Sequence, residues 1–115
     1  MRCLTSLLML IVVLLGGCAP RPPVPAADGT VPVSFSLSAA GAASVCVAGS
    51  FNLWDPAARC LARTGDDGLW TGTVPLPPGR YEYLFVIDGR TWQTDPAALT
   101  TDDGLGGRNS VLVVP

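Results

Sequence analysis

The clearest sign of architecture in this chain is the segment Gly79-Arg80-Tyr81-Glu82-Tyr83-Leu84-Phe85-Val86-Ile87-Asp88-Gly89. Large apolar side chains occupy every second position from Tyr81 to Ile87. This period-two alternation is typical of a half-buried β-strand, because successive side chains of a strand point to opposite faces. The Asp88-Gly89 pair that follows favours a tight hairpin turn. The segment therefore predicts a core strand that ends in a hairpin.

The same alternation recurs on both sides of this segment. It appears in residues 31–37, 45–47, 70–76 and 111–114, which are separated by turn-forming runs such as Gly65-Asp66-Asp67-Gly68 and Pro77-Pro78-Gly79. The pattern predicts about seven short strands with a turn about every 8 to 12 residues, which is typical of an antiparallel sandwich. The predicted fold class is all-β, an immunoglobulin-like antiparallel β-sandwich, and Trp70 and the aromatic residues of the first segment are expected in its core.

The N-terminus has the pattern of an export signal. A single Arg2 precedes an apolar run over residues 7–15 that is too short to cross a bilayer. The run ends in Leu15-Gly16-Gly17-Cys18, which resembles the lipobox of bacterial lipoproteins. That resemblance implies that residues 1–17 are a signal peptide, and that Cys18 becomes the lipid-bearing first residue of an envelope protein. The alternative is an ordinary signal cut near Ala19, with Cys18 incidental.

Residues 18–30 are predicted to be a spacer, since four prolines between positions 20 and 25 favour an extended polyproline II segment. One folded domain, residues 31–115, would follow. If the host has two membranes, Ala19 is not the Asp that the lipoprotein family associates with inner-membrane retention. The resemblance then favours the outer membrane.

Composition narrows the range of functions. The 115 residues contain no His and no Lys, and the net charge is −2. The absence of a basic cluster argues against nucleic acid as a partner. The absence of His and Lys removes the commonest general base and metal ligand. We therefore expect no catalytic residues, no cofactor and no metal site. A hydrolase that uses carboxylates alone stays as the enzymatic alternative, although most of the carboxylates lie beside Gly or Pro in turn signals.

Cys46 and Cys60 are the two remaining cysteines of the exported domain. An even number of cysteines outside the cytoplasm favours a disulfide. The alternative is a pair of independent buried thiols.

Three motifs together make the domain recognisable. They are Gly49-Ser50-Phe51-Asn52-Leu53-Trp54, then Tyr81-Glu82-Tyr83-Leu84-Phe85-Val86-Ile87-Asp88-Gly89, and then Trp92 with Asp95-Pro96. In this order and spacing, followed by Leu105 and Asn109, they resemble the glycogen-binding module of the AMP-activated kinase β subunit. That module belongs to carbohydrate-binding family 48, whose members have an early-set immunoglobulin-like fold.

The resemblance implies the site residues. Trp54 and Trp92 match the two sugar-stacking Trp residues of the family, Leu105 its apolar finger, and Asn109 its polar contact. The family's Lys and Thr fall here at Leu84 and Gly107. The implied function is non-catalytic binding of an α-glucan such as glycogen, starch or maltodextrin. Trp54 and Trp92 both lie in turn-like contexts after predicted strands, where binding residues concentrate. Two alternatives stay open: Trp54 and Trp92 as packing residues, and an early-set module that binds an unknown protein partner through a degenerate sugar site.

Overall fold

The computed structural model describes residues 28–115, which form eight β-strands. They are β1 (Val31–Ser38), β2 (Val45–Gly49), β3 (Ala62–Thr64), β4 (Leu69–Leu76), β5 (Gly79–Ile87), β6 (Thr91–Gln93), β7 (Thr100–Asp102) and β8 (Arg108–Val114). Within these residues no helix is long and apolar enough to span a membrane. The predicted signal peptide, Cys18 and most of the predicted spacer lie outside the described part of the chain.

The strands form two antiparallel sheets. The smaller sheet has the order β1-β4-β3, and the larger one has the order β2-β5-β8-β7, with β6 also paired to β5. Strand β5 is the centre of the larger sheet, because β2 pairs with one of its edges while β8 and β6 share the other. The predicted antiparallel sandwich is confirmed.

The hairpin expected at Asp88-Gly89 is present between β5 and β6. Both residues have positive φ angles, 54° and 71°, and the Arg90 N–H donates to the Ile87 carbonyl at 3.1 Å. Positive φ at both central residues is what a type I′ turn requires, and Arg90 is an extra residue before β6, because the register pairs Ile87 with Thr91. The Asp88 carboxylate also accepts hydrogen bonds from the backbone N–H groups of Ala43 and Ser44, so it ties this turn to the start of β2.

Alternating side chains of both sheets meet in one core. Phe35 and Tyr83, from opposite sheets, pack edge to face with ring centroids 5.1 Å apart. The buried cluster comprises Phe35, Leu37, Ala42, Val45, Val47, Leu61, Trp70, Val74, Leu76, Tyr83, Phe85 and Val114. The prediction that Trp70 packs inside is confirmed, and its indole N–H donates to the Ala39 carbonyl.

The disulfide between Cys46 and Cys60 is confirmed. It joins β2 to the segment Arg59–Leu61, which runs beside the edge of β2. Here the Val47 N–H donates to the Arg59 carbonyl, and the Leu61 N–H donates to the Val45 carbonyl. The chain after β2 therefore leaves the sheet as a loop and returns to the same strand. That loop carries Trp54.

Candidate functional site

One face of the larger sheet points away from the core. On β5, Tyr83 and Phe85 are core residues, so Leu84 and its alternating neighbours point to the opposite, outer face. The register places Trp92 of β6 directly opposite Val86, and paired residues of an antiparallel ladder share a face. Trp92 therefore lies on the outer face. It is 44% exposed, and it belongs to a short strand rather than to the turn expected from the sequence.

A shallow depression of about 300 Å³ lies on this outer face. It is lined by Trp54, Leu84, Asp103, Leu105 and Asn109. Three of the four predicted site residues, Trp54 from one part of the sequence and Leu105 and Asn109 from another, thus border one surface feature. Trp92, the fourth, does not line the depression, but its cross-strand partner is two residues from Leu84 on the same strand face.

The loop that presents Trp54 is fixed by its own backbone. Leu53 and Trp54 have φ angles of 59° and 57°, the left-handed region that non-glycine residues rarely adopt. The Trp54 N–H donates to the Gly49 carbonyl at 2.9 Å. The Asn52 side chain accepts from the Gly49 N–H and donates to the Val47 carbonyl. These bonds hold the half-buried Trp54 beside the sheet.

Gly49 is required where this loop begins. A Cβ atom at Gly49 would lie 2.6 Å from the Glu82 carbonyl oxygen and 2.7 Å from the Phe51 ring. Any larger residue would displace the loop from the sheet, which explains the glycine at this position of the motif.

Leu105 stands at the tip of the loop between β7 and β8, and it is 91% exposed. Asp103 shapes this loop, because one of its carboxylate oxygens accepts from the Leu105 N–H at 2.7 Å and from the Gly107 N–H at 2.9 Å. The two backbone hydrogen bonds lower the pKa of the Asp103 carboxyl below its usual value. Asp103 is therefore a carboxylate at neutral pH and holds the loop in place.

Asn109 is oriented by Glu82 on the neighbouring strand. The Asn109 amide nitrogen donates to the Glu82 carboxylate at 3.1 Å, and Arg80 pairs with the other carboxylate oxygen at 2.9 Å. The hydrogen bond from Asn109, and after it the one from Arg80, lowers the pKa of the Glu82 carboxyl. The side-chain amide oxygen of Asn109 takes no part in this contact and is available as an acceptor.

Sequence reasoning missed Asp103, which lines the depression, and Glu82, which orients Asn109 from outside it. The Asp103-Gly104 pair predicts only a turn. Glu82 alternates with Tyr81 and Tyr83, a pattern that predicts only an outward-facing polar residue on a strand. The spacing of the chain gives no indication that Glu82 meets Asn109, since the contact depends on the register of β5 with β8. In the structure, a Cβ atom at Gly107 would lie 2.7 Å from an Asp103 carboxylate oxygen, which explains the glycine at this position.

The chemistry available at the site is that of a binding surface. Two indoles and two leucines supply apolar area, and an amide and a carboxylate at its border supply hydrogen-bonding atoms. Among residues 28–115 there is no group of three His, Cys, Asp or Glu side chains arranged to hold a metal ion.

Comparison with known proteins identifies one matching family and several similar proteins. The profile of the glycogen recognition site of AMP-activated protein kinase matches residues 31–115. The chain is 44% identical over 75 residues to the 1,4-alpha-glucan branching enzyme GlgB of Halothermothrix orenii, covering 62% of this chain and 12% of the enzyme. It is 31% identical over 74 residues to the 5'-AMP-activated protein kinase subunit beta-1 of Sus scrofa, covering 64% of this chain and 57% of the subunit.

A third relative is the chloroplastic protein PTST homolog 2 of Arabidopsis thaliana. It is 30% identical over 73 residues, which are 64% of this chain and 13% of that protein. This chain therefore spans only a part of each of these relatives. Since the family profile covers nearly all of the described sandwich, the chain belongs to the family of the glycogen recognition site of AMP-activated protein kinase.

Proposed function

We propose that this domain binds α-1,4-linked glucans such as glycogen, starch or maltodextrin, without catalysing a reaction. The observation that carries the proposal is the convergence of Trp54, Leu105 and Asn109 on one depression, with Trp92 on the same sheet face. The family and the names of the relatives, among them a kinase subunit and a glucan branching enzyme, support the same class of ligand.

The two indoles suit this ligand. An indole offers a large flat apolar surface, and the face of a pyranose ring that is rich in C–H groups can stack on it while the hydroxyl groups stay hydrated. Leu105, which is almost fully exposed, would contact the apolar inner side of a curved glucan. Exposure of so large an apolar group is otherwise unfavourable, and contact with sugar removes it from water.

The polar border of the site supplies hydrogen bonds. Asn109 offers its free carbonyl oxygen, and Asp103 offers the carboxylate oxygen that does not bond to its own loop. This second oxygen occupies the space next to Gly107, where the family has a Thr. Asp103 thus compensates for the missing hydroxyl, whereas Leu84, in place of the family's Lys, adds apolar area in the floor of the depression.

Retardation in gels that contain polysaccharide tests the proposal. Glycogen and amylose should slow the protein, and cellulose should not. Trp54→Ala and Trp92→Ala should each abolish most of the retardation while the thermal unfolding temperature stays near that of the wild type. Leu99→Ala is the matched control, since Leu99 is 83% exposed and does not line the depression. Because a glucan is uncharged, retardation should be nearly insensitive to salt.

A different function would follow if the wild-type protein bound no glucan. Leu53 and Leu105 are 92% and 91% exposed, so the neighbourhood of Trp54 presents apolar groups that would equally suit a protein partner. Absence of retardation, together with an unchanged Trp fluorescence in millimolar maltoheptaose, would favour an interaction module.

We also propose that the domain is lipid-anchored in the cell envelope through Cys18, on the outer membrane where a host has two. The support is the Leu15-Gly16-Gly17-Cys18 motif after a short apolar run. A lipoprotein cysteine carries more than one acyl chain, which is what stable anchoring requires. The prolines of residues 18–30 would then hold the glucan site away from the membrane surface.

A further inference from the structure

Strand β1 is a long sheet edge with free hydrogen-bonding groups. It is the terminal strand of the order β1-β4-β3, and it has 8 residues. Its register with β4 pairs Leu37 with Trp70 and Ser38 with Leu69. One residue beyond, the Ala39 N–H donates to the Gly68 carbonyl at 2.8 Å, which continues the ladder and fixes its phase.

The phase shows which backbone groups of β1 are free. Hydrogen-bonded pairs alternate with non-bonded pairs along an antiparallel ladder, so the bonded positions are those separated from Ala39 by an even number of residues. The N–H and C=O groups of Ser34, Ser36 and Ser38 therefore point away from β4. Pro32 belongs to the same outward set, which explains how a residue without an N–H is accommodated inside this strand.

No other part of residues 28–115 pairs with this edge. None of the backbone–backbone hydrogen bonds outside the β1–β4 ladder within that range involves Ser34, Ser36 or Ser38. A groove of about 270 Å³ runs beside the C-terminal half of β1, and Ser36, Ser38 and Gln93 are among its lining residues. The edge is therefore open to an incoming chain.

The other edge strands are either already paired or very short. The edge of β2 is paired with Arg59–Leu61 and locked by the disulfide. Strands β3, β6 and β7 have 3 residues each, too few for an extended pairing surface. By contrast, β1 carries no charged side chain, although charged residues are a common device against pairing between sheet edges.

We propose that β1 pairs antiparallel with β1 of a second copy of this chain, about a two-fold axis at Ser36. Ser36 then faces Ser36 of the second copy, and Ser34 faces Ser38 of the second copy. Each of these pairs exchanges two backbone hydrogen bonds, so all three free N–H groups find acceptors. The same patch serves both copies, as a closed two-fold interface requires.

The register fits the sequence of the strand. Pro32 would face position 40 of the second copy, which lies beyond the end of β1, so the missing N–H of Pro32 costs no hydrogen bond. Two uncharged strands do not repel each other electrostatically. A pairing of two strands buries less than the roughly 1,200 Å² of standard stable interfaces, so the dimer is weak and reversible.

The dimer has a consequence for ligand binding, which rests on the proposed glucan function. A two-fold axis between antiparallel strands is perpendicular to the sheet, so corresponding faces of the two copies point the same way. Both depressions would then face one side, and a branched polysaccharide could engage both sites. Binding of the second site becomes intramolecular, which raises the apparent affinity for polymers over that for short oligosaccharides.

Cysteine crosslinking in the full chain, purified from expressing cells in mild detergent, tests the register. Ser36→Cys should give a covalent dimer with a short thiol–thiol crosslinker, several-fold above the wild-type background from the native cysteines. Ser34→Cys alone should stay at background, because the two copies of position 34 lie about 13 Å apart along the strands. A mixture of Ser34→Cys and Ser38→Cys should again give the dimer.

Ser36→Pro provides the second measurement. In the wild type the Ser36 N–H does not bond to β4, so the proline variant should keep the thermal unfolding temperature of the wild type. Its weight-average mass at high protein concentration should fall to that of the monomer. Equal crosslinking by all three single cysteine variants would overturn the proposed pairing. A link from position 36 to the N-terminal residues of the same chain would overturn it as well. Both results are independent of glucan binding.

Discussion

Asn109 on β8 donates a hydrogen bond of 3.1 Å from its amide nitrogen to the Glu82 carboxylate on β5. A carboxylate can only accept, so this contact determines which end of the Asn109 amide faces the strand and which end faces the depression. The acceptor oxygen of Asn109 is therefore presented to a ligand by a residue that does not itself line the site.

Glu82→Ala should weaken glucan binding although Glu82 does not line the depression. Without the Glu82 carboxylate, the Asn109 side-chain amide is free to rotate. Its oxygen then faces the depression in only a fraction of the molecules. A hydrogen bond is worth about 1 kcal/mol, which corresponds to roughly a fivefold rise in the dissociation constant for maltoheptaose. Titration with maltoheptaose, monitored by Trp fluorescence, measures this dissociation constant.

Glu82→Gln and Arg80→Ala are the matched controls for this effect. The Gln side chain keeps an oxygen that accepts from Asn109, so affinity should be close to that of the wild type. Arg80 contacts Glu82 from the side away from Asn109, and its removal should change affinity little. A loss of affinity in Arg80→Ala as large as that in Glu82→Ala would contradict the positioning role of Glu82.

Glucan binding should be constant at neutral pH and fall only in strong acid. The folded-state pKa of Asp103 is lowered below 3.8, so the hydrogen bonds that it accepts stabilise the Leu105 loop above that pH. They are lost as the pH falls through the lowered pKa and the carboxyl becomes protonated. The dissociation constant should therefore be flat from pH 8 to about pH 5 and rise below the usual carboxyl range.

Asp103→Asn separates this effect from general acid unfolding. The Asn oxygen still accepts from the Leu105 and Gly107 N–H groups, so the loop persists, but the side chain no longer titrates. Binding by the variant should be weaker at neutral pH and should lack the acid step. Glu82→Gln is needed beside it, because the pKa of Glu82 is lowered as well. An acid step that survives in the double variant, with Asp103→Asn and Glu82→Gln together, would exclude these carboxyls as its cause.

The fold was largely predictable, because alternation over five or more residues reports burial directly. The segments around Phe35, Trp70 and Tyr83 are long enough to show it. Strands β3, β6 and β7 have 3 residues each, a length at which no period can be recognised, so Trp92 was expected in a turn. The resemblance to the glycogen-binding module pointed to Trp54, Leu105 and Asn109, which line the depression. The partners Glu82 and Asp103 were not predictable, since their contacts arise from strand register and loop closure.

Reduction of the Cys46–Cys60 disulfide should lower the stability of the domain. The bridge closes a loop of 14 positions, and the entropy model gives about 3 kcal/mol for a loop of this length. For a domain of this size the thermal unfolding temperature should fall by at least 10 °C, on the order of 4 °C or more per kcal/mol. Calorimetry with and without reductant measures the shift, and equal transition temperatures would contradict it.

Replacement of Cys18 by Ser should release the protein from membranes. In bacterial lipoproteins, which the Leu15–Cys18 motif resembles, the lipid is attached through the cysteine thiol, and a Ser hydroxyl does not take its place. Detergent phase partitioning of cell extracts should move the variant from the detergent phase to the aqueous phase. Cys3→Ser, a change within the predicted signal, is the control and should leave partitioning unchanged. Unchanged partitioning of Cys18→Ser would refute the lipid anchor.

Leu53→Asn should stabilise the domain. Leu53 has a φ angle of 59° and is 92% exposed, so it has an unfavourable backbone conformation and loses almost no buried area on replacement. The left-handed conformation costs an ordinary residue about 1–2 kcal/mol, and Asn tolerates it better than Leu. A gain of up to about 1 kcal/mol is expected in urea unfolding.

Leu53→Val is the opposing control, because a β-branched residue is least tolerant of a positive φ. It should unfold at lower urea concentration than the wild type, whereas Leu53→Asn should unfold at higher concentration. Trp54 shares the same turn and keeps its hydrogen bond to Gly49, so glucan affinity should be retained in Leu53→Asn. If Leu53→Asn were as stable as the wild type but lost affinity, the exposed leucine would itself be a ligand contact, and the strain would be the cost of presenting it.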